Sequence, residues 1–288
     1  VCLACFLLRR QFILKIVGDY AWEQGSQRFG VGDSLDNFSL EFNKYSGPVK
    51  ILKLIQSGVA KRAQKIIVPS AYLKKIVVNW GVSADKIKVI YNSIEDLPTL
   101  ETKTDLKKDF SLNYPTFVSV GRLVPWKGFR LLVEIMPEIL KSYPQAQLYI
   151  IGSGPERVKL ADLIMSLNLD SSVRLVGQLP RVEVLRYLKA SDLFLLNTNY
   201  EGFSHQLLEV AQCQTPIITT SIGGNPEFIT DRVNGRLVDY NDREGFVSAI
   251  IDLLANPVQA GNYCLQAEKR LALFTKNLML DNLEKELL

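Results

Sequence analysis

Residues 116–128, Thr-Phe-Val-Ser-Val-Gly-Arg-Leu-Val-Pro-Trp-Lys-Gly, join an apolar, β-branched run to a glycine-containing turn. The run at 116–120 predicts a buried strand, and the sequence from Phe129 onward has helical spacing. Gly121 permits a tight turn, and Gly128 would let the backbone approach a ligand closely. Strand, turn and helix in this order predict one βα unit of a parallel sheet.

The same alternation extends in both directions from this unit. Runs that predict strands occur at 12–17, 65–68, 87–91, 147–151, 173–176, 193–196 and 216–219, separated by helical patterns. This order predicts right-handed crossovers and parallel sheets with helices on both faces. Ligands of such sheets bind outside the carboxyl ends of the strands.

We predict two doubly wound, Rossmann-like α/β domains. Residues 1–115 are assigned to the first, with 96–115 as a polar, proline-containing linker, and 116–268 to the second. The helical stretch 274–288 is expected to pack back on the first domain or, alternatively, on its own. The apolar start from Val1, interrupted by Arg9 and Arg10, is too short for a membrane span and is interpreted as the end of a buried helix. The first domain is therefore expected to be incomplete.

The composition indicates a folded protein, since 47% of the 288 residues are hydrophobic and 22% are charged. Residues 1–115 contain 17 Lys/Arg against 11 Asp/Glu, and the remainder contains 17 against 19. A basic first part suits an anionic acceptor or an acidic bilayer surface, although a merely solvated face is an equal alternative. No aromatic-studded basic stripe accompanies the charge, which argues against nucleic acid.

The cysteines do not indicate a metal or redox centre. Cys2 and Cys5 form a C-x-x-C, but no second pair or neighbouring histidine completes a site. We interpret them as core residues of a protein in a reducing cytoplasm.

Two cations follow the strand at 116–120. Arg122 and Lys127 lie at its predicted carboxyl end, just before a helix whose amino end adds positive potential. This arrangement suits a diphosphate, and the alternative is a solvated turn. The later G-S-G-P-E at 152–156 fits a structural turn as well as a ligand contact, because Arg157 replaces the third glycine of a dinucleotide motif. Paired glycines at 223 and 224 would expose backbone N–H groups to an anion.

The residues from Glu201 to Glu209, E-G-F-S-H-Q-L-L-E, follow the predicted strand at 193–196. Ser204 is a candidate N-cap of the next helix. The two carboxylates are too far apart to share a proton. They suit two separate hydrogen-bond acceptors along one polyhydroxyl ligand, and the alternative is an ordinary capped helix.

Four motifs follow one another along the chain: G-R-L-x-x-x-K-G, G-x-G-P-E, E-G-F-S with a second glutamate eight residues after the first, and G-G-x-P-E. This order resembles family-4 retaining glycosyltransferases of the GT-B fold, over residues 116–255. The resemblance implies an enzyme that moves a sugar from a UDP- or GDP-sugar to a hydroxyl acceptor, which is a glycan, a lipid or a small molecule. It implies no metal and no cofactor, with the leaving phosphate accepting the proton of the acceptor. A cytoplasmic protein, with possible peripheral contact with an anionic membrane, is expected.

The resemblance also assigns site residues. Glu201 matches the catalytic carboxylate that contacts the transferred sugar, and Glu209 matches the ribose-binding carboxylate. The remaining assignments are Gly121, Arg122 and Lys127 for the donor diphosphate, Gly202, Phe203 and Ser204 for the donor sugar, and Asp19 on the possible acceptor side.

Several residues depart from the family pattern. Gly18 replaces a histidine that many members have before the aspartate, Ser93 replaces a glycine, and Gln214 replaces a glycine at a helix end, where strain is expected. His205, the one histidine, is interpreted as an exposed first-turn residue. Two other functions stay open: a nucleotide-sugar epimerase or hydrolase, and a non-catalytic nucleotide-sugar-binding protein.

Overall fold

The computed structural model of the protein describes residues 10–287, so the predictions for Cys2, Cys5 and the apolar start lie outside it. The chain divides into two compact units. The first contains the described residues up to Asn92, the segment Tyr200–Phe203 and the chain from Met279 onward. The second contains Ser93–Asn199 and Ser204–Leu278.

A three-stranded parallel sheet forms the centre of the first unit. Its strands are β1 (Ile13–Lys15), β2 (Lys65–Val68) and β3 (Ile87–Val89), in that spatial order. The central strand is the most apolar of the three, and its last three residues are buried. The helices are α1 (Tyr20–Arg28), α2 (Leu35–Leu40), α3 (Gly47–Arg62) and α4 (Ala71–Asn79).

The second unit is built on a six-stranded parallel sheet. Its spatial order is β6-β5-β4-β7-β8-β9. The strands are β4 (Thr116–Val120), β5 (Gln147–Ile151), β6 (Val173–Gly177), β7 (Leu193–Leu196), β8 (Ile217–Thr220) and β9 (Arg236–Val238). The chain leaves β4 toward β5 and β6 on one side and returns to β7 on the other. The carboxyl ends of β4 and β7 therefore form a topological switch point, where ligands of such sheets bind.

Helices pack around this sheet over a core that includes Phe117, Leu148 and Phe246, all fully buried. Their bounds are α5 (Lys103–Asp109), α6 (Phe129–Glu134), α7 (Met136–Ser142), α8 (Arg157–Ser166), α9 (Arg181–Ala190), α10 (His205–Gln212), α11 (Asn225–Phe228), α12 (Arg243–Ala255) and α13 (Pro257–Arg270). The predicted alternation of strands and helices is confirmed, and β9 is a strand that the sequence pattern did not predict.

The segment predicted as a linker contains helix α5 and belongs to the second unit. Leu106 is fully buried in a small apolar cluster with Leu112 and Tyr149. Lys107 also pairs with Asp192 at 2.7 Å. The division of the chain accordingly falls between residues 92 and 93 rather than at 115, because one buried leucine and one ion pair fix an otherwise polar segment.

The last helix, α14 (Lys276–Leu287), ends in the first unit. Glu286 pairs with Lys65 at 3.2 Å and with Lys88 at 3.7 Å, which joins it to β2 and β3. Among the described helices, none combines the length and the apolar character needed to cross a bilayer.

Candidate functional site

The turn after β4 carries the two predicted phosphate-binding cations. Arg122 is exposed and Lys127 is half-buried, the latter in a short 3-10 helix, Pro125–Lys127. The guanidinium carbon of Arg122 lies 5.6 Å from the ring centroid of Trp126, within cation–π range. Both cations thus lie in one short loop at the switch point.

Gly128 is required by the protein's own packing. It has a φ of 54°, and a Cβ added there would lie 2.3 Å from Nδ2 of Asn197. Sequence reasoning attributed this glycine to a ligand's close approach, but the neighbouring atoms belong to the end of β7. The glycine therefore lets two loops of the switch point meet.

Asn197 joins three loops from a fully buried position. Its Nδ2 donates to the carbonyl of Gly128 at 3.0 Å and to Oδ1 of Asn241 at 2.8 Å. Its Oδ1 accepts from the backbone N–H of Asn241 at 3.0 Å. The amide consequently fixes the end of the loop that carries Lys127.

Close packing also explains why glycine occurs at positions 152 and 154. A Cβ on Gly152 would lie 1.9 Å from the carbonyl oxygen of Gly121, and one on Gly154 would lie 2.4 Å from that of Leu123. The backbone N–H of Leu123 donates to the Ser153 carbonyl at 2.9 Å. The two loops after β4 and β5 are therefore packed backbone to backbone.

A cavity of about 260 Å³ lies between these loops and the one after β6. Its lining residues include Gly121, Arg122, Ser153, Gln178 and Leu179. A larger cavity of about 930 Å³, lined by Pro115, Leu193 and others at the amino ends of the strands, contains none of the predicted site residues. Size alone does not locate the site here.

Glu209 lies in α10 and is held by Arg181 at the start of α9. The Nε of Arg181 donates to Oε1 of Glu209 at 2.8 Å, and its Nη1 lies 3.4 Å from Oε2 of Glu95. A cavity of about 310 Å³ is lined by these three residues, by Ser93 and by other side chains of the second unit. The second predicted glutamate thus faces a polar cavity.

Ser204 is the N-cap residue of α10, as the sequence predicted. Its Oγ is buried and has no hydrogen-bond partner among residues 10–287. His205, the first residue of the helix, is exposed and lines the same cavity as Glu209, as the surface interpretation requires.

Glu201, Gly202 and Phe203 belong to the first unit, whereas Ser204 and Glu209 belong to the second. Within the first unit, Nδ2 of Asn92 donates to the carbonyl of Phe203 at 3.3 Å. The ring of Phe203 lies 5.1 Å from that of Tyr91. Glu201 is half-buried beside these anchored neighbours.

Asp19, which the sequence analysis assigned to the possible acceptor side, is held by hydrogen bonds within the first unit. It is fully buried and caps α1. Its carboxylate accepts hydrogen bonds from the Trp22 backbone at 2.9 Å, from Gln56 at 3.0 Å and from the indole of Trp80 at 3.1 Å. Burial raises the pKa of Asp19 despite these bonds. Its role in the structure is to organise the first unit.

No group of three or more His, Cys, Asp or Glu side chains that could hold a metal ion occurs in the described part of the chain. Sequence reasoning missed Arg181, Asn197 and Tyr200. Asn197 was detectable as a polar residue at the end of an apolar strand, but the partners of all three lie far away in sequence.

Comparison with known proteins adds a family and a fold. The family model described as glycosyl transferases group 1 matches residues 101–271. The chain is 30% identical to the phosphatidylinositol N-acetylglucosaminyltransferase GPI3 subunit of Saccharomyces cerevisiae over 183 residues, 63% of this chain and 40% of the relative. It is 28% identical to a GDP-mannose-dependent alpha-(1-6)-phosphatidylinositol monomannoside mannosyltransferase of Mycolicibacterium smegmatis over 171 residues, 57% of this chain and 45% of the relative. The matches thus span less than half of these relatives.

Among solved structures, the chain is similar to Alr3699/HepE of Anabaena in complex with UDP-glucose. The TM-score is 0.82 at 19% identity, over 99% of this chain and 74% of that one. The likeness confirms the predicted α/β, GT-B-type fold with Rossmann-like sheets.

Proposed function

Because the chain belongs to the glycosyl transferases group 1 family, we propose that it transfers a sugar from a nucleotide-diphosphate donor to a hydroxyl group of an acceptor. The observation that carries the proposal is the switch point of the second unit. Two cations, Arg122 and Lys127, and the carboxylate Glu209 follow its strands β4 and β7, on the side where α/β sheets bind nucleotides.

The roles follow from charge and hydrogen bonding. Arg122 and Lys127 neutralise the donor diphosphate, with Gly121 in the same loop, and no metal or other cofactor is required. Glu209 accepts hydrogen bonds from the ribose hydroxyls. Glu201 accepts them from the transferred sugar, near the backbone of the Gly202-Phe203-Ser204 segment.

The proposed reaction retains the configuration at the anomeric carbon. The bond between that carbon and the β-phosphate oxygen breaks, and a bond to the acceptor oxygen forms on the same face. The acceptor proton passes to the leaving phosphate, so no protein nucleophile is needed. The two cations stabilise the charge that develops on the diphosphate.

The donor is a UDP- or GDP-sugar. The Anabaena complex with UDP-glucose supports the first, and the name of the GDP-mannose-dependent relative supports the second. The names of two relatives include phosphatidylinositol, which supports a lipid acceptor, with glycans and small molecules as alternatives.

Isothermal titration with UDP and with GDP, in the presence of EDTA, tests the donor site. We expect binding by the native chain and a loss of roughly 100-fold or more in the Arg122→Ala/Lys127→Ala variant, because each cation contributes charge-assisted hydrogen bonds of about 1.5–3 kcal/mol. The matched control is Arg130→Ala/Lys159→Ala, which removes the same charges from two side chains that are each 76% exposed.

Equal losses of nucleotide affinity in both variants would mean that only the net charge of the protein matters. The absence of nucleotide binding by the folded native chain would overturn the proposal. Incubation with donor sugar alone separates the other functions. An epimerase or hydrolase converts the donor without acceptor, and a binding protein converts nothing under any condition.

We further propose a cytoplasmic protein that contacts anionic membrane surfaces. Helix α3 contains no acidic residue and exposes Lys50 and Lys61. It also exposes three apolar side chains at helical spacing, namely Ile51, Leu54 and Ile55. Co-sedimentation should increase with the phosphatidylserine content of vesicles and fall with added salt. Binding that ignores lipid charge would contradict this.

A further inference from the structure

Arg181 and Glu209 form an ion pair that links the start of α9 to the middle of α10, and both residues line one cavity. The side chain of Glu209 retains 22% of its exposure and that of Arg181 37%. The hydrogen bond at 2.8 Å engages Oε1 of Glu209. Within residues 10–287, its Oε2 has no hydrogen-bond partner. One carboxylate oxygen is therefore held while the other stays available.

Stability is a poor reason for this pair. Ion pairs of partly exposed side chains contribute little to the stability of a folded protein. The second partner, Glu95, has a side chain that is 75% exposed, and its oxygen is 3.4 Å away. In addition, Nη2 of Arg181 is buried with no hydrogen-bond partner in the described chain. A guanidinium retained only for stability would not leave a buried donor unsatisfied.

Orientation is a better reason. A free glutamate side chain samples many rotamers, and fixing it when a ligand binds lowers the affinity. The bond to Oε1 fixes the side chain before binding. The pair of ribose hydroxyls can then donate to a carboxylate whose orientation is already set.

We propose that Arg181 is a positioning residue for the nucleoside: its guanidinium holds Oε1 of Glu209 and thereby presents Oε2 to the ribose hydroxyls of the donor. The inference rests on the ribose role proposed for Glu209. Arg181 acts through that carboxylate and needs no contact with the sugar of the donor.

The test compares dissociation constants of UDP and 2′-deoxy-UDP, or of the guanine pair if GDP binds better. We expect the native chain to prefer the ribonucleotide about tenfold, as one hydrogen bond to a charged group is lost. The Arg181→Met variant should lose this preference, with weaker ribonucleotide binding and unchanged deoxynucleotide binding.

The matched control is Arg186→Met on the same helix, because Arg186 pairs with Asp109 and Glu183 and lines no part of this cavity. It should keep the native preference. Arg181→Lys is the second variant, for the case that the methionine variant does not fold, and should keep only part of the preference because a lysine lacks the fork geometry.

The outcomes distinguish the two proposals. A native chain that binds both nucleotides equally overturns the role of Glu209, and with it this inference. A native preference that persists in the folded Arg181 variants, or an equal loss for both nucleotides, overturns the role of Arg181 alone.

Discussion

The phenol oxygen of Tyr200 lies 3.2 Å from the backbone nitrogen of Asp19 and accepts its hydrogen bond. The ring of Tyr200 meets that of Trp22 edge to face at 5.1 Å. A Cβ added to Gly18 would lie 2.7 Å from the same phenol oxygen. The glycine at position 18, a departure from the family pattern, is thus explained by the hydroxyl that occupies the space beside it.

We predict that Gly18→Ala destabilises the first unit by about 1–3 kcal/mol, because overpacking forces neighbouring atoms apart. Tyr200→Phe alone should cost about 1 kcal/mol, since the Asp19 N–H loses its acceptor. The double variant should be destabilised by less than the sum of the two single destabilisations. Urea unfolding of the four proteins measures the coupling, and additive penalties would refute the steric explanation.

Asp19 should make the stability of the first unit depend on pH. Burial raises its pKa, so the folded state keeps the proton to a higher pH than the unfolded state does. Its stabilising contribution is present below about pH 4 and is lost as the pH rises through the folded pKa.

The free energy of unfolding of the native protein, minus that of Asp19→Asn, should therefore fall as the pH rises above about 4. Tryptophan fluorescence during urea unfolding measures it, since the indole of Trp80 and the backbone N–H of Trp22 donate to this carboxylate. A difference that grows with pH would mean that the hydrogen bonds outweigh desolvation.

Replacing Asn197 should affect both stability and the donor site. Asn197→Leu leaves two groups of Asn241 without these partners and the Gly128 carbonyl with only the Leu131 N–H, which should cost about 2–4 kcal/mol. Nucleotide affinity should fall as well, because the loop with Lys127 loses its anchor. The exposed Asn113→Leu serves as the control, and unchanged nucleotide affinity in a folded Asn197 variant would argue against the anchoring role.

Two glycine-to-alanine substitutions should have opposite effects on the stability of the second unit. Gly152→Ala places a Cβ 1.9 Å from a backbone oxygen and should destabilise the second unit by more than about 3 kcal/mol. Gly261, in the exposed middle of α13, has no atom within 4 Å of its added Cβ. There alanine should stabilise by about 0.5–1 kcal/mol. Thermal unfolding of both variants tests the pair, and similar shifts would contradict the close packing of the loops.

Much of the fold can be predicted from local sequence patterns. Strands β4 and β5 have the predicted bounds because five consecutive buried residues leave a clear apolar run. The left-handed backbone expected at Gln214 is confirmed by its φ of 54°. Strand β9 was not predicted because it has only three residues, one of them an arginine.

Long-range partners limited the prediction of the site. Arg181 follows a proline at a helix start and looks like any surface arginine until the fold brings Glu209 to it. The family resemblance assigned Asp19 to the possible acceptor side, but Trp22, Gln56 and Trp80 surround it only in the folded chain. Helix α5 was hidden because a single leucine is fully buried among charged neighbours.

The short segment Tyr200–Phe203 belongs to the first unit although the residues on both sides of it belong to the second. In evolution, its residues should change together with the residues they pack against rather than with their neighbours in the chain. Among relatives, the residues at positions 18, 19 and 200 should covary, while Arg122 and Lys127 change independently of them. A chimaera that exchanges residues 93–278 between two such proteins should consequently keep positions 200–203 from the recipient.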